Sequence, residues 1–198
     1  NAKDTMTFSG GDKGKIVNEG RITINDAKGF VALMAPEVKN EGVILATLSG
    51  QNSVALVSGQ KVTLTFADRQ LINVSVDASV INSLINNKRL IQTNGGQVLI
   101  AANSANDLMG SVINNKGSIV ADGVSVQGGV VTLTASTINQ TGSVSSNSAS
   151  SAGGNITMAA KEVNLSSTSK TLATGVQSGG QVNIHAANTV NVNAGAIV

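Results

Sequence analysis

The sequence predicts an all-β chain folded as a right-handed parallel β-helix, a solenoid with short hairpins and loops outside the coil. The first observation is a repeat that recurs at least five times: Asn, one or two further residues and usually Gly lead to a hydrophobic residue. A break that contains glycine or asparagine and an alternating apolar run follow each copy. The second is the interval of 22–25 residues that separates most copies, which suits one solenoid turn. The third is that apolar residues alternate with a period of two, as in strands, and no segment sustains a helical period.

One asparagine in each repeat marks the period. The five clearest positions are separated by 22, 46, 28 and 25 residues, and the interval of 46 corresponds to two turns of 23. An asparagine at the same place on successive turns can adopt a tight turn conformation and hydrogen-bond the asparagines above and below it. We therefore predict one structural ladder, formed by Asn18, Asn40, Asn86, Asn114 and Asn139.

The composition agrees with short strands joined by turns. Hydrophobic residues make up 41% of the chain, whereas charged residues make up 12% and aromatic residues 2%. Valine, isoleucine and threonine favour strands, and the 22 glycines, together with asparagine and serine, favour turns. Alternating apolar positions such as Val31, Leu33 and Ala35 should point into a column-shaped core.

We interpret residues 1–198 as a single β-helix segment with four departures from the repeat. Residues 1–15 are expected to form an entry hairpin or loop, and residues 66–84 a hairpin outside the coil. Residues 103–110 lie in the 28-residue interval and fit a single helical turn or a loop. Residues 143–154 are almost all Ser, Ala, Asn and Gly, which predicts a flexible loop bulging from one turn.

The charge pattern argues against nucleic-acid binding. The 13 basic and 11 acidic residues give a net charge of +2 and are scattered. Nucleic-acid binding relies on a clustered basic patch and usually on stacking aromatic residues, and the sequence shows neither. The absence of cysteine excludes disulfides, and no apolar run has the length of a membrane-spanning helix, so stable membrane insertion is not expected.

No catalytic, cofactor-binding or metal-binding residue is predicted. The only histidine, His185, alternates with Ile184 and Ala186 and should face solvent without a metal-binding partner. β-Helical enzymes that cleave polysaccharides need clustered carboxylates, and the 11 acidic residues are dispersed in the sequence. Glu19 and Glu41 each follow a ladder asparagine and should stack at one corner, as a weak cation site or as a solvated corner.

Several stretches resemble the filamentous haemagglutinin family, the large exoproteins of two-partner secretion in Gram-negative bacteria. Residues 14–22 read GKIVNEGRI, residues 29–36 read GFVALMAP and residues 38–44 read VKNEGVI. Residues 54–66 and 95–109 extend the similarity, which is strongest over residues 14–140. The combination of motifs is fairly specific, although each motif alone is weak.

This resemblance implies a right-handed parallel β-helix and export through a partner, an outer-membrane β-barrel transporter. It also implies that the chain is secreted or lies on the cell surface, as a fragment of a much larger exoprotein. The amino-terminal secretion domain of the family carries an Asn-Pro-Asn signature, whereas the only proline here, Pro36, follows Ala35. The chain therefore resembles the end of that domain and the first turns beyond it, or an equivalent later region.

The resulting hypothesis is an adhesin segment that forms a rod for attachment to host cells or other surfaces, with a protein or glycan receptor. The candidate receptor-binding loops are Ala67–Gln70, Asn103–Gly110 and Ser143–Gly154. Members of the family also act as cytolysins, in haem acquisition or as stalks for contact-dependent toxins, and these remain alternatives. A secreted β-helical enzyme that acts on polysaccharides is the alternative from a different class; no cofactor is expected.

Overall fold

A computed structural model describes residues 4–77, 82–104 and 110–198, which contain β-strands and no helix. The strands are β1 (Asp4–Ser9), β2 (Lys15–Asn18), β3 (Arg21–Ile24), β4 (Phe30–Met34), β5 (Glu37–Asn40), β6 (Val43–Ser49), β7 (Ser53–Ser58), β8 (Lys61–Ala67), β9 (Gln70–Asp77), β10 (Ser83–Asn87), β11 (Leu90–Asn94), β12 (Gln97–Ala102), β13 (Ser111–Asn115), β14 (Ser118–Val120), β15 (Val130–Thr134), β16 (Thr137–Gln140), β17 (Ser143–Ser145), β18 (Asn155–Leu165), β19 (Lys170–Leu172) and β20 (Gln181–Val192). The long strands β18 and β20 pair with each other along both of their halves, with a register shift after Ala160.

The parallel strands wind into a coil of about six turns with three faces, which confirms the predicted right-handed parallel β-helix. Face 1 stacks β2, β5, β10, β13, β16 and the second halves of β18 and β20. Face 2 stacks β3, β6, β11, β14, β17 and β19. Face 3 stacks β4, β7, β12, β15 and the first halves of β18 and β20.

Stacked columns of aliphatic side chains fill the coil. On face 1, Ile85 lies between Val38 and Ile113, and all three are 0% exposed. On face 2, Ile91 pairs with Ile44 in a second buried column. Each fully buried aliphatic side chain contributes about 1.5–3 kcal/mol, so like residues stacked turn upon turn stabilise both the coil and its register.

A three-stranded antiparallel sheet, here called the side sheet, lies against face 3 and consists of β1, β8 and β9. The hairpin that was expected within residues 66–84 therefore exists, but its first strand begins at Lys61. The entry segment supplies β1, which pairs with β8 rather than with the coil. Residues 78–81, at the end of the expected hairpin, lie outside the described residues.

The side sheet encloses a second hydrophobic core. Leu64, Phe66 and Leu71 pack on Ala55 and Val57, whose side chains point outward from face 3. Alternation accounts for this, because each strand of face 3 directs every second side chain away from the coil. The hairpin covers those positions, so β7 is buried along its whole length.

We expect Leu71→Ala to destabilise the protein by about 2–5 kcal/mol, because it leaves a cavity in this second core. Leu71 is 0% exposed, whereas Leu48 is 47% exposed and provides a control with the same chemical change. The midpoint of urea unfolding, followed by circular dichroism, should fall for Leu71→Ala and change little for Leu48→Ala. Equal shifts would contradict a buried position for Leu71.

The expectation of a flexible loop outside the coil at residues 143–154 is wrong. Residues 143–145 form β17 on face 2, and Ser148 makes parallel bridges to Gly123 and Gly175. The corner segments 121–129, 146–154 and 173–180 have similar lengths and stack on one another. Small residues are needed because the backbones approach closely: a Cβ at Gly154 would lie 2.1 Å from the Gly129 carbonyl oxygen.

The predicted turn or loop at residues 103–110 lies largely outside the described residues, which omit 105–109. At its start, the Asn103 side chain donates a hydrogen bond to the Val76 carbonyl (2.8 Å), and Ser83 Oγ donates to the Asn103 carbonyl (2.6 Å). The first bond ties the end of turn three to the side sheet, and the second ties it to β10 of face 1.

Candidate functional site

The predicted asparagine ladder is two ladders on opposite sides of the face 1 strands, which corrects the sequence prediction. Asn18 and Asn40 belong to an inner ladder, whereas Asn86, Asn114 and Asn139 belong to an outer one. The reason is strand alternation: Asn86 aligns with Lys39, and its neighbour Asn87 aligns with Asn40. The described inner ladder consists of Asn18, Asn40, Asn87 and Asn115, and the outer ladder of Asn86, Asn114, Asn139, Asn164 and Asn191.

The inner ladder lies inside the coil. Asn40, Asn87 and Asn115 are 0% exposed, and consecutive amides are joined by hydrogen bonds of 2.8–2.9 Å. Asn40 also donates to the Leu90 carbonyl, and Asn115 to the Ser143 carbonyl. A buried amide is costly unless it is paired, so each of these side chains depends on its neighbours.

Gln140 occupies the next position of the inner column. It aligns with Asn115 but donates to the Lys170 carbonyl (3.1 Å), and its Oε1 atom is buried without a hydrogen-bond partner. The extra methylene of glutamine carries the amide past the ladder. Leu165 and Val192 follow in the same column, so the polar ladder ends where the column becomes apolar.

The outer ladder is a half-exposed strip along face 1. Its amides are joined by hydrogen bonds of 2.7–3.0 Å that run parallel to the coil axis. Each amide keeps further hydrogen-bonding capacity, because a primary amide has two donors and an acceptor with two lone pairs. At Asn164 part of it is used by a bond to Glu162 Oε1 at 3.0 Å. The strip is regular and its amides are uncharged, with Lys39 at one end of the column and Glu162 beside Asn164.

The charged side chains form pairs at the surface of the early turns. Glu37 and Lys39 lie two residues apart on β5 with 2.8 Å between their charged atoms, and Lys88 lies 2.8 Å from Glu41. The hydrogen bond from Lys39, opposed by desolvation and aided by Lys15, lowers the pKa of Glu37. The hydrogen bond from Lys88 lowers the pKa of Glu41.

These two carboxylates should make stability weakly pH-dependent. Their folded pKa values lie below the ordinary 4.5, so their stabilising effect is present above pH 4.5 and is lost as pH falls through the folded values. We expect Glu41→Gln to unfold at a slightly lower urea concentration than the parent at pH 7, with the difference shrinking as the pH falls below 4.5. Adding 1 M salt should shrink the difference at pH 7, since these pairs are exposed.

Glu19 and Glu41 follow consecutive asparagines of the inner ladder, as predicted, but the corner carries cations as well. The backbone pattern continues this column with Lys88 and Lys116. Within the described residues no group of three or more His, Asp or Glu side chains lies close enough together to hold a metal ion. His185 is exposed and pairs in register with Ala159, in agreement with its predicted outward position.

The loop Ala67–Gln70 is the turn of the side-sheet hairpin. Asp68 and Arg69 have φ values of 50° and 67°, both in the left-handed region that two-residue hairpin turns require. Both side chains are exposed at the tip, and Lys28 Nζ donates to the Asp68 carbonyl at 3.5 Å. The turn therefore projects over the corner between faces 2 and 3.

A recess of about 360 Å³ lies beside this turn, and sequence reasoning did not find it. The corner after β11 has only two residues, Gly95 and Gly96, whereas the corner after β14 has nine, residues 121–129. The longer corner projects beyond the shorter one and creates a step, here called the corner recess. It is lined by Gly50, Gln51, Gln70, Gly95, Gly96, Gln97, Val126, Gln127, Gly128, Gly129, Val130 and Asn155.

In the described part of the chain, no helix could span a membrane. No model of a protein family matches the sequence, and a search of curated proteins finds no match.

Proposed function

We propose that this chain is a segment of a secreted or cell-surface adhesin of the filamentous haemagglutinin type, exported by two-partner secretion through an outer-membrane β-barrel transporter. Its β-helix acts as a rod that carries binding surfaces for host cells or other surfaces. The observation that supports this most is the architecture: about six stacked turns build a rod roughly 30 Å long, with an attached side sheet.

The surfaces of the rod fit a binding role. The outer asparagine ladder and the corner recess both present amide groups, and the side sheet presents hydroxyl groups on its outer side. Thr5, Thr7 and Thr63 share that outer side, where Thr7 and Thr63 hydroxyls lie 3.1 Å apart. Uncharged polar groups of this kind can make hydrogen bonds to a receptor without the desolvation cost of burying charges.

The polysaccharide-cleaving alternative requires carboxylates gathered in a groove. The groove at the amino-terminal end contains Asp12 and Glu37, but it also contains Lys13 and Lys15. The hydrogen bond from Lys39, with a smaller contribution from Lys15, lowers the pKa of Glu37, so this carboxyl is poorly suited to act as a general acid near neutral pH. The contacts of the described residues therefore favour binding over catalysis as the working hypothesis.

A bead assay tests adhesion. Beads coated with the purified chain should attach to epithelial cells in a saturable manner, and free chain should compete with them. Beads coated with a heat-unfolded sample provide the control. Attachment no greater than that of the control beads, on several cell types and on an abiotic surface, would argue against the adhesin proposal.

A secretion assay tests the export pathway. Because the chain lacks the Asn-Pro-Asn signature, it is fused behind the signal sequence and amino-terminal secretion domain of a two-partner exoprotein. The fusion should accumulate in the medium when co-expressed with a two-partner transporter and remain in the periplasm with a transporter that lacks its periplasmic domains. Periplasmic retention with every transporter tested, including one encoded beside the gene for this chain, would contradict export by this route.

A further inference from the structure

Five amide side chains from distant parts of the sequence surround the corner recess. Gln51 comes from turn two, Gln97 from turn three, Gln127 from turn four and Asn155 from turn five, and Gln70 comes from the tip of the side sheet. Gln51, Gln127 and Asn155 are exposed, and the other two are half-buried. The fold therefore gathers amides that show no common period in the sequence.

These five amides differ from many others of the molecule because they are unpaired. Within residues 4–77, 82–104 and 110–198, none of the five side chains makes a hydrogen bond. By contrast, both asparagine ladders are bonded throughout, and Asn94 and Asn147 are held in their corners. Each free amide retains two donors and one acceptor, so the recess offers both kinds of group to a ligand.

Glycines provide the floor of the recess. Gly95 has φ = 71°, a conformation that side chains rarely adopt, and a Cβ there would lie 2.5 Å from Val126 Cγ2. A Cβ at Gly96 would lie 2.2 Å from Asn52 Oδ1. Glycine is therefore required at both positions, which leaves backbone and the flank of Val130 as the floor.

The recess favours a neutral ligand with many hydroxyl groups. None of the described residues that line it is charged, so nothing there balances the charge of an anionic or cationic ligand. An extended peptide would need a free strand edge, but β12 is paired on both sides, with β7 and with β15. Vicinal hydroxyls of a sugar match groups that both donate and accept hydrogen bonds.

We propose that the corner recess binds a neutral oligosaccharide, with its hydroxyls bonded to the amides of Gln70, Gln97 and Gln127 and one sugar ring lying on the glycine floor. The volume of about 360 Å³ lies within the range of small-molecule sites. The proposal rests on the adhesin function only in assigning the sugar to the receptor. Binding of the sugar to the recess does not depend on the adhesin function.

The test is a titration of the whole chain with a panel of tetrasaccharides, followed by saturation-transfer NMR and calorimetry. The panel contains neutral chains of glucose, galactose, mannose and N-acetylglucosamine, a sialylated chain, a sulfated chain and an uncharged octapeptide. We expect saturable binding of at least one neutral chain. Gln97→Ala and Gln127→Ala should each weaken it by about 2–10-fold, the effect of one or two lost hydrogen bonds.

Gln92→Ala is the matched control, because Gln92 is an exposed glutamine on face 2, away from the recess. Its affinity should equal that of the parent, and unfolding midpoints should show that all three variants are folded. No saturable binding of any neutral chain, preference for the acidic chains or the peptide, or equal loss in Gln92→Ala would overturn the proposal. If the double variant Gln97→Ala/Gln127→Ala attached to cells as well as the parent does, the recess would have no role in adhesion. The proposed adhesin function would not be contradicted by that result.

Discussion

Gly129→Ala is expected to destabilise the protein by about 3 kcal/mol or more, although it adds a single methyl group. An ideal Cβ at this position would lie 1.9 Å from the Gly96 carbonyl oxygen and 3.0 Å from the Ala121 carbonyl oxygen. Both oxygens are hydrogen-bond acceptors, for Val130 N at 3.0 Å and Gly129 N at 2.7 Å. The new methyl group could be accommodated only if the turns moved apart and these bonds lengthened.

The collision occurs with backbone, which is why a large effect is expected. A flexible side chain could rotate away from the added methyl group, but the Gly96 backbone is held in the stack. The same geometry recurs along the column: a Cβ at Gly154 would meet the Gly129 oxygen at 2.1 Å, and one at Gly180 would meet the Gly154 oxygen at 2.0 Å. Glycine is required here for space, since φ at these positions is not in the left-handed region.

Gly179→Ala provides the control. Gly179 precedes Gly180 in the equivalent corner of turn six, and a Cβ there would meet nothing within 4 Å. Its substitution should leave the urea midpoint unchanged or raise it slightly, because alanine restricts the unfolded chain. Comparable losses for Gly129→Ala and Gly179→Ala would show that the cost is a general effect of replacing glycine rather than a collision between turns.

The fold was predictable because its signals repeat. Alternation at positions such as Val31 and Leu33 indicates a strand wherever it occurs, and the recurrence of the same pattern every 22–28 residues indicates stacking. The hairpin was recognised from a break in the repeat. Its start was placed too late because Lys61–Ala67 alternates like a strand of the coil while pairing with β1 and β9.

The error at residues 143–154 has a physical cause. A Ser, Gly and Asn-rich composition is shared by flexible loops and by corners in which backbones stack closely, so composition alone does not distinguish them. A signal was present in the sequence: glycine pairs recur at 128–129, 153–154 and 179–180, one turn apart. Paired glycines in register point to close backbone approach, as the geometry of Gly154 demonstrates.

The corner recess could not have been predicted from the sequence. Gln51, Gln70, Gln97 and Gln127 share no period, and only the stacking of unequal corners beside the hairpin tip brings them together. The depth of the recess depends on the difference between a two-residue and a nine-residue corner in adjacent turns. The sequence gives both corner lengths, but their effect on the surface can be seen only when the register between turns is known.

The division of the asparagines into two ladders yields a second large effect, in which neighbouring residues of the same type respond differently. We expect Asn87→Ala to destabilise the protein by about 2–4 kcal/mol and Asn86→Ala by about 1 kcal/mol or less. Asn87 is 0% exposed; it donates to Asn115 Oδ1 at 2.9 Å and accepts from Asn40 Nδ2 at 2.9 Å. Asn86 is half-buried and accepts from Asn114 Nδ2 at 2.9 Å.

The asymmetry follows from what each substitution leaves behind. Without Asn87, the Oδ1 atom of the fully buried Asn115 loses its donor, and water does not reach that position to replace it. Asn40 retains its bond to the Leu90 carbonyl, so the penalty falls mainly on Asn115. Without Asn86, the amide of Asn114 is partly exposed and can bond to water, and it still accepts from Asn139.

Urea unfolding of the two alanine variants, measured side by side, decides between one ladder and two. If a single ladder contained Asn18, Asn40, Asn86, Asn114 and Asn139, as their spacing suggests, Asn86→Ala would be the more damaging substitution. Two ladders predict the opposite order, because Ile85 points into the core and places Asn87, two residues further on, on the same inner side. Equal costs would mean that burial does not distinguish the ladders, and would refute the inner position of Asn87.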